Sequence, residues 1–297
     1  MTRAQRLGLF LACWGLYTLT ASGHIHTVDS YQVYQVTRSM AERWAVDIPQ
    51  SHMALPGADG RLYSKFGIGQ SLLAYPLHQA ARLLYRALPD DLIQGMRRGQ
   101  YRLRVRSGQR DAGPQFLDAW SWSAEDRFCA SVVTLLFNPA MSALAVTLLA
   151  GLMLALGYSG RAALASTIAA GFGTFAWSQS RDFFQHPLVA ALLLASVLVW
   201  LNQRGTPRPR GALLIGLLGG LALLTRPFTM VWVPVFGGAL THDLLREHAP
   251  ARRWASILGA YTLPLLAAGL LWLGYNEIRF GDTAFTGYHG PEDQAGF

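Results

Sequence analysis

The chain has 297 residues, 52% of them hydrophobic and 14% charged, against roughly 25% charged in a typical soluble domain. Mean hydropathy is +0.23, which excludes an ordinary soluble protein yet leaves room for long polar stretches. Net charge is +8 and the pI is near 9.9, but the arginines cluster beside apolar segments. There they orient helices and meet anionic headgroups, so membrane lipid is the expected partner and nucleic acid is not. Two cysteines, Cys13 and Cys129, both lie in or beside apolar runs, and no C-x-x-C spacing exists. Neither a structural disulfide nor a bound metal is expected.

In chain order, apolar runs fall at 7–23, 128–156, 162–178, 183–201, 211–225, 227–241 and 255–275. Residues 1–23 also fit a secretory signal, with Arg3 and Arg6 before the apolar core and Ala21-Ser22-Gly23 after it. They are read as a retained first helix, because the later runs already commit the chain to the membrane. Short-loop arginines set the sidedness. The loop 202–210 carries Arg204, Arg208 and Arg210, and the loop after Leu240 carries Arg246, Arg252 and Arg253. Both belong in the cytoplasm, so an even number of crossings separates them and Arg226-Pro227 is an outer turn.

Carried back to the N-terminus, this parity predicts an all-α bundle of about seven spans in the cell (inner) membrane, with a cytoplasmic N-terminus. Residues 24–127 form one large extracytoplasmic loop, 128–275 a bundle of six helices, and 276–297 an extracytoplasmic C-terminal segment. The arginine-rich stretch 97–110 lies in the large loop, where length exempts it from the charge rule. Within that loop, 68–88 sets Leu72, Leu73, Leu77, Leu83 and Leu84 against Gln70, His78, Gln79 and Arg82. It is read as an amphipathic helix lying on the outer interface, with an eighth crossing as the alternative.

This topology gathers polar groups on the outer face: Asp29 after the first run, Lys65, Asp182 and His186 near the fourth, Arg226 at the outer turn and Arg279 after the last. Ionisable groups at helix ends are functional candidates because burial in lipid is costly; the alternative is a solvated interface anchor. Lys65 is the sole lysine beside 24 arginines. Its compact ammonium suits a point contact with phosphate.

Several motifs, in this order, resemble the GT-C superfamily of membrane glycosyltransferases. The similarity is to the family of dolichyl-phosphate-mannose–protein mannosyltransferases and lipid A aminoarabinose transferases. The motifs are Asp29 soon after the first helix; Asp-Gly-Arg-Leu-Tyr-Ser-Lys-Phe-Gly from Asp59; Leu-Phe-Asn-Pro from Leu136; and Leu-Gly-Tyr-Ser from Leu156. Then come Phe-Gly-Thr-Phe-Ala-Trp-Ser-Gln-Ser-Arg-Asp-Phe-Phe from Phe172 and Tyr-Asn-Glu-Ile-Arg-Phe-Gly-Asp from Tyr275, running on to Gly287-Tyr288.

The resemblance implies transfer of a sugar from a polyprenyl-phosphate carrier to the hydroxyl of a glycan, lipid or protein on the outer face, with no bound cofactor. Asp29 is then the candidate base that takes the acceptor proton. Lys65 is the candidate cation for the leaving phosphate, with Arg226 and Arg279 as weaker ones. Asp182 matches the family's second outer acid and is the second candidate catalytic residue, orienting acceptor or donor; Arg61, Tyr63 and His186 complete the expected substrate-binding set. His186 stands where relatives often carry an acid, and Ser30 rather than an acid follows Asp29. Relatives usually continue for several more helices, so the chain is expected to be the N-terminal part of a longer enzyme or a short relative. Two other classes remain open: a non-catalytic membrane scaffold, and a small-solute transporter. Against the transporter, the acids sit at outer helix ends rather than near the midplane.

Overall fold

The computed structural model describes residues 1–49, 54–95 and 122–288. The protein is helical, at 75% helix and 2% strand. Ten helices are labelled here: α1 (Arg3–Thr20), α2 (Val28–Arg43), α3 (Gly69–Ala87), α4 (Ala124–Ala155), α5 (Gly160–Phe172), α6 (Phe175–Ser180), α7 (His186–Leu201), α8 (Pro209–Thr225), α9 (Trp232–Arg246) and α10 (Ala251–Phe280). A 3-10 turn, Pro227–Val231, leads into α9, and a two-stranded hairpin pairs β1 (Leu55–Pro56) antiparallel with β2 (Leu62–Tyr63).

Among the described residues three stretches are long and apolar enough to cross a membrane: α4, Pro227–Arg246 and α10. Helices α7 and α8 are apolar but shorter, at 16 and 17 residues. The outward surface has the character that lipid requires. On α10, Leu263, Leu266, Leu270 and Leu271 are each 63–70% exposed, a stripe that water would penalise.

The elements differ from the sequence reading in three places. The run 162–178 is not one helix: Gly173 ends α5, and Thr174 starts α6 by accepting from the Ala176 amide at 3.2 Å. Besides the helix expected over 68–88, the described residues of 24–127 hold α2 and the hairpin. Helix α10 runs on to Phe280, five residues beyond the apolar run, so 276–297 begins helical. The amphipathic helix expected over 68–88 is found as α3; the arginine-rich stretch 97–110 lies outside the described residues.

Pro139 in α4 cannot donate to the carbonyl four residues back, and the Thr18 hydroxyl of α1 donates to that oxygen, on Leu135, at 3.2 Å. The same defect thus ties α1 to α4. Among the described residues three apolar cores result, the smallest packing α1 against α4 around Tyr17 and Val146. Of the other two, one joins α2, α3, α4, α7 and α8 around Tyr34, Phe137 and Phe183, and the other joins α8, α9 and α10 around Ile215, Leu240 and Ile257.

The arginine-bearing turns sit together at one end. The Arg253 guanidinium, at the start of α10, donates to the Pro207 carbonyl, in the loop before α8, at 2.9 Å. Helix direction then sends the start of α7 and the ends of α8 and α10 to the opposite end, where the polar groups collect.

Candidate functional site

At that opposite end a small, partly open cleft lies among α2, the segment 64–69, the start of α7 and the end of α8. Asp29, Ser30, Gln185, His186 and Arg226 supply its polar wall, with Phe66, Phe183 and Phe184 as the apolar part. Asp29 stands in the first turn of α2, which the Thr27 hydroxyl caps by accepting from the Ser30 amide at 3.3 Å. A carboxylate there meets the positive end of the helix dipole. Among the described residues it has no hydrogen-bond or ion-pair partner.

Opposite it, the Arg226 guanidinium donates to His186 Nε2. A guanidinium only donates, so Nε2 accepts, and Nδ1 carries the proton and donates to Gln179 Oε1 at 3.0 Å. His186 is therefore neutral in this arrangement and braces Arg226. The Arg226 Nε is buried without a partner, as is Gln185 Oε1. The Gln185 amide nitrogen must face the Gly67 carbonyl, 3.2 Å away, so its unpaired atom is the oxygen.

Lys65 stands beside Tyr288, which Arg226 also approaches. Its ammonium lies 5.4 Å from the Phe66 ring centroid and 5.9 Å from that of Tyr288. Burial raises the Tyr288 phenol above its usual 10, with the Arg226 guanidinium pulling the other way and the Asp29 carboxylate adding to the rise. The phenol stays protonated beside both cations.

Backbone packing fixes the segment that carries Lys65. A Cβ on Gly67 would strike the Leu224 carbonyl, and one on Gly69 would sit 2.8 Å from the Thr225 amide nitrogen. Glycine at both positions lets this segment lie directly against the end of α8, one residue before Arg226.

Chains similar to this one were not found: no family profile, curated protein or solved structure matches it. Geometry alone carries the site.

The expected residues divide into three groups. Asp29, His186 and Arg226 line the cleft, and Lys65 stands beside it. Asp182 and Arg279 are buried supports at 3% and 1% exposure. Asp182 does not face the cleft; its carboxylate accepts from the Thr27 hydroxyl at 2.9 Å and the Phe183 amide at 2.7 Å, fastening the turn that presents Asp29. Arg279 donates to backbone carbonyls and to Asn276 rather than to open space. Tyr63 and Arg61 belong to the hairpin: the Tyr63 hydroxyl donates to Asp59 at 2.9 Å, and Arg61 lies 3.5 Å from the same carboxylate. Burial and that hydrogen bond push the Tyr63 phenol up to about 12.

Sequence reasoning passed over Gln185 and Thr27, and quoted Gln179, Asn138 and Tyr288 only as motif members. Asn138 is fully buried, and its amide donates to the carbonyls of Gln179 (3.3 Å), Phe184 (2.8 Å) and Asp182. It thereby shapes the whole turn before α7. An asparagine in the middle of an apolar helix was the available signal. Among the described residues no group of His, Cys, Asp or Glu is arranged to hold a metal ion.

Proposed function

We propose that the chain is a multi-pass membrane glycosyltransferase that moves a sugar from a polyprenyl-phosphate carrier to an acceptor hydroxyl on the outer face of the cell membrane. One observation carries the reading: an unpaired carboxylate, Asp29, shares a cleft at the helix ends with Arg226, and Lys65 stands beside it. Sugar transfer needs both charges. A hydroxyl becomes a competent nucleophile when a carboxylate within reach takes its proton, and the departing phosphate gains charge that cations stabilise. In this scheme Asp29 takes the proton, C1 of the sugar bonds to the acceptor oxygen, and the C1–O bond to phosphate breaks. Lys65 and Arg226 face the leaving phosphate. A single displacement inverts the anomeric centre.

Seven crossings with a cytoplasmic N-terminus place the arginine turns inside and the cleft outside. Residues 24–127 are then one extracytoplasmic loop, and α3 lies on the outer interface with Leu72, Leu73, Leu83 and Leu84, each at least 40% exposed, in lipid.

The chemistry is tested by assaying transfer from a polyprenyl-phosphate sugar: Asp29→Asn is expected to abolish it, and full activity in that variant sinks the reading. Topology is tested by single cysteines. Thr206→Cys is expected to label only from the cytoplasm and His24→Cys only from outside; the reverse pattern overturns the orientation. The native Cys13 and Cys129 are buried and leave a low background.

A further inference from the structure

Arg279 is the largest fully buried side chain among the described residues, and no carboxylate there pairs with it. Its guanidinium stacks on the rings of Tyr275 and Phe280, with centroids 3.9 and 4.6 Å away. Nη1 donates to the Ser64 carbonyl and, at 3.3 Å, to the Phe66 carbonyl. Nη2 donates to Asn276 Oδ1 at 2.6 Å, and Nε reaches the Tyr275 carbonyl at 3.4 Å. An unmatched buried cation is costly, and it persists when its donors are satisfied and its planar faces covered.

Those two carbonyls belong to the residues on either side of Lys65. One nitrogen of one guanidinium therefore holds both flanks of the only lysine in the chain. The next carbonyl, on Gly67, is held by Gln185 at 3.2 Å. The far side of the segment rests on the end of α8 through the two glycines. Close by, a Cβ on Gly57 would strike the Arg279 carbonyl, so the hairpin that leads into Lys65 is seated on the same turn of α10.

We infer that Arg279 is the positioning residue for Lys65: it fixes the backbone from which the ammonium projects and makes no contact with ligand itself. The role assigned to Lys65 in transfer rests on the function proposed above, whereas the positioning does not. Nη1 serves the two carbonyls while Nε and Nη2 hold α10, a spread of donors over three nitrogens that a single ammonium does not supply. Glutamine retains an amide donor at that depth; methionine retains only bulk.

Because Lys65 is the sole lysine, its acylation by an amine-reactive ester reads its presentation directly, with the N-terminal amine separated by peptide mass. Full-length protein in detergent, without ligand, is compared with Arg279→Gln and Arg279→Met well below their unfolding temperatures. The acylation rate of Lys65 is expected to change by about tenfold in Arg279→Met, the scale of a lost charged hydrogen bond, and by less in Arg279→Gln. Asp243→Ala, which removes the carboxylate that accepts from the Trp200 indole at 3.0 Å at the other end of the bundle, is expected to leave the rate unchanged and so controls for general loosening. A wild-type rate in both Arg279 variants overturns the inference, and Arg279→Gln carries the test if Arg279→Met does not fold.

Sugar transfer then separates the two ideas. If Lys65 serves the leaving phosphate, Arg279→Gln lowers kcat with KM unchanged, and adding it to Lys65→Met costs nothing further. Altered acylation with normal transfer leaves the positioning intact and removes Lys65 from the chemistry.

Discussion

The two halves of α2 serve two polar clusters that handle charge in opposite ways. Toward its C-terminal end, each cation meets an acid: Arg38 with Glu42 (2.9 Å) and Asp126 (3.0 Å), Arg43 with Asp47 (3.0 Å), and Arg82 from α3 with Glu125 (2.9 Å). At its N-terminal end Asp29 has no partner among the described residues. There Lys65 faces aromatic rings, and Arg226 donates to a neutral imidazole. Matched charges lock α2, α3 and α4 together; unmatched ones at a cleft stay open to meet a ligand or water. A polar cluster marks a working site when its charges are left unsatisfied by the protein, not when it is merely dense.

The largest test of that contrast exchanges one acid in each cluster. Asp29→Asn is expected to lower transfer by about 10²- to 10⁴-fold while leaving the melting temperature in detergent unchanged. Asp126→Asn is expected to do the reverse. Its carboxylate accepts from the Ser123 hydroxyl (2.7 Å) and amide (3.0 Å) as well as from Arg38, so losing it costs about 1–3 kcal/mol of stability with activity per folded molecule preserved. Equal effects of the two substitutions on stability would erase the distinction.

The matched cluster should also fail in acid. His78, buried between α2 and α3 with Nδ1 3.1 Å from the Tyr34 hydroxyl, has its pKa lowered from 6.5 to about 4, first by burial and then by Arg82. Its folded-state pKa lies below its unfolded one, so between those values the unfolded chain binds a proton that the folded chain refuses. The contribution is complete above pH 6.5, declines as pH falls toward 4 and is then level, a loss on the order of 3 kcal/mol. Thermal unfolding at pH 7 and pH 4.5 measures it. His78→Gln is expected to remove that part of the slope; an unaltered slope assigns the acid sensitivity to other groups.

Between the clusters, Asn138→Ala strands three backbone carbonyls at once and is expected to cost about 2–3 kcal/mol. Because the affected turn carries His186, transfer should fall as well.

Elements with a periodic or compositional signature were legible in the sequence, and contacts between distant segments were not. Helix α3 spans 69–87 against the expected 68–88, because its apolar residues recur on one face. The turn at Arg226-Pro227 was marked by its proline, and the charge-sorting of helix ends pointed to Asp29 and Arg226, which the structure sets in one cleft. Helix α2 escaped notice because its buried face is polar: Ser30, Gln32, Gln35, Thr37 and Ser39 are all at most 2% exposed, which no hydropathy pattern reports. The start of α4 was missed by four residues, although Ser123 and Asp126 form a capping box in plain view. Arg279 looked like a ligand-binding cation because its role depends on Ser64, 215 residues away. The partner of Asp182, Thr27, is likewise 155 residues away, a contact that no local pattern reports.

The smallest expected effect refines the contrast from within the matched cluster. Arg86 shares Glu125 with Arg82, but its side chain is 57% exposed against 29% for Arg82, and its contact is longer, 3.4 Å against 2.9 Å. Water screens the outer pair and competes for it, so Arg86→Gln is expected to cost at most about 0.5 kcal/mol. Arg82 also donates to the Ala41 carbonyl at 3.3 Å, joining α3 to α2, so Arg82→Gln should cost more. Measuring both by thermal unfolding at low and at moderate salt separates the terms. If the two substitutions cost the same and respond equally to salt, the cluster is held by its net charge alone. A larger, salt-insensitive loss at Arg82 means that the half-buried hydrogen bonds hold α3 in place, while Arg86 remains free to meet lipid headgroups.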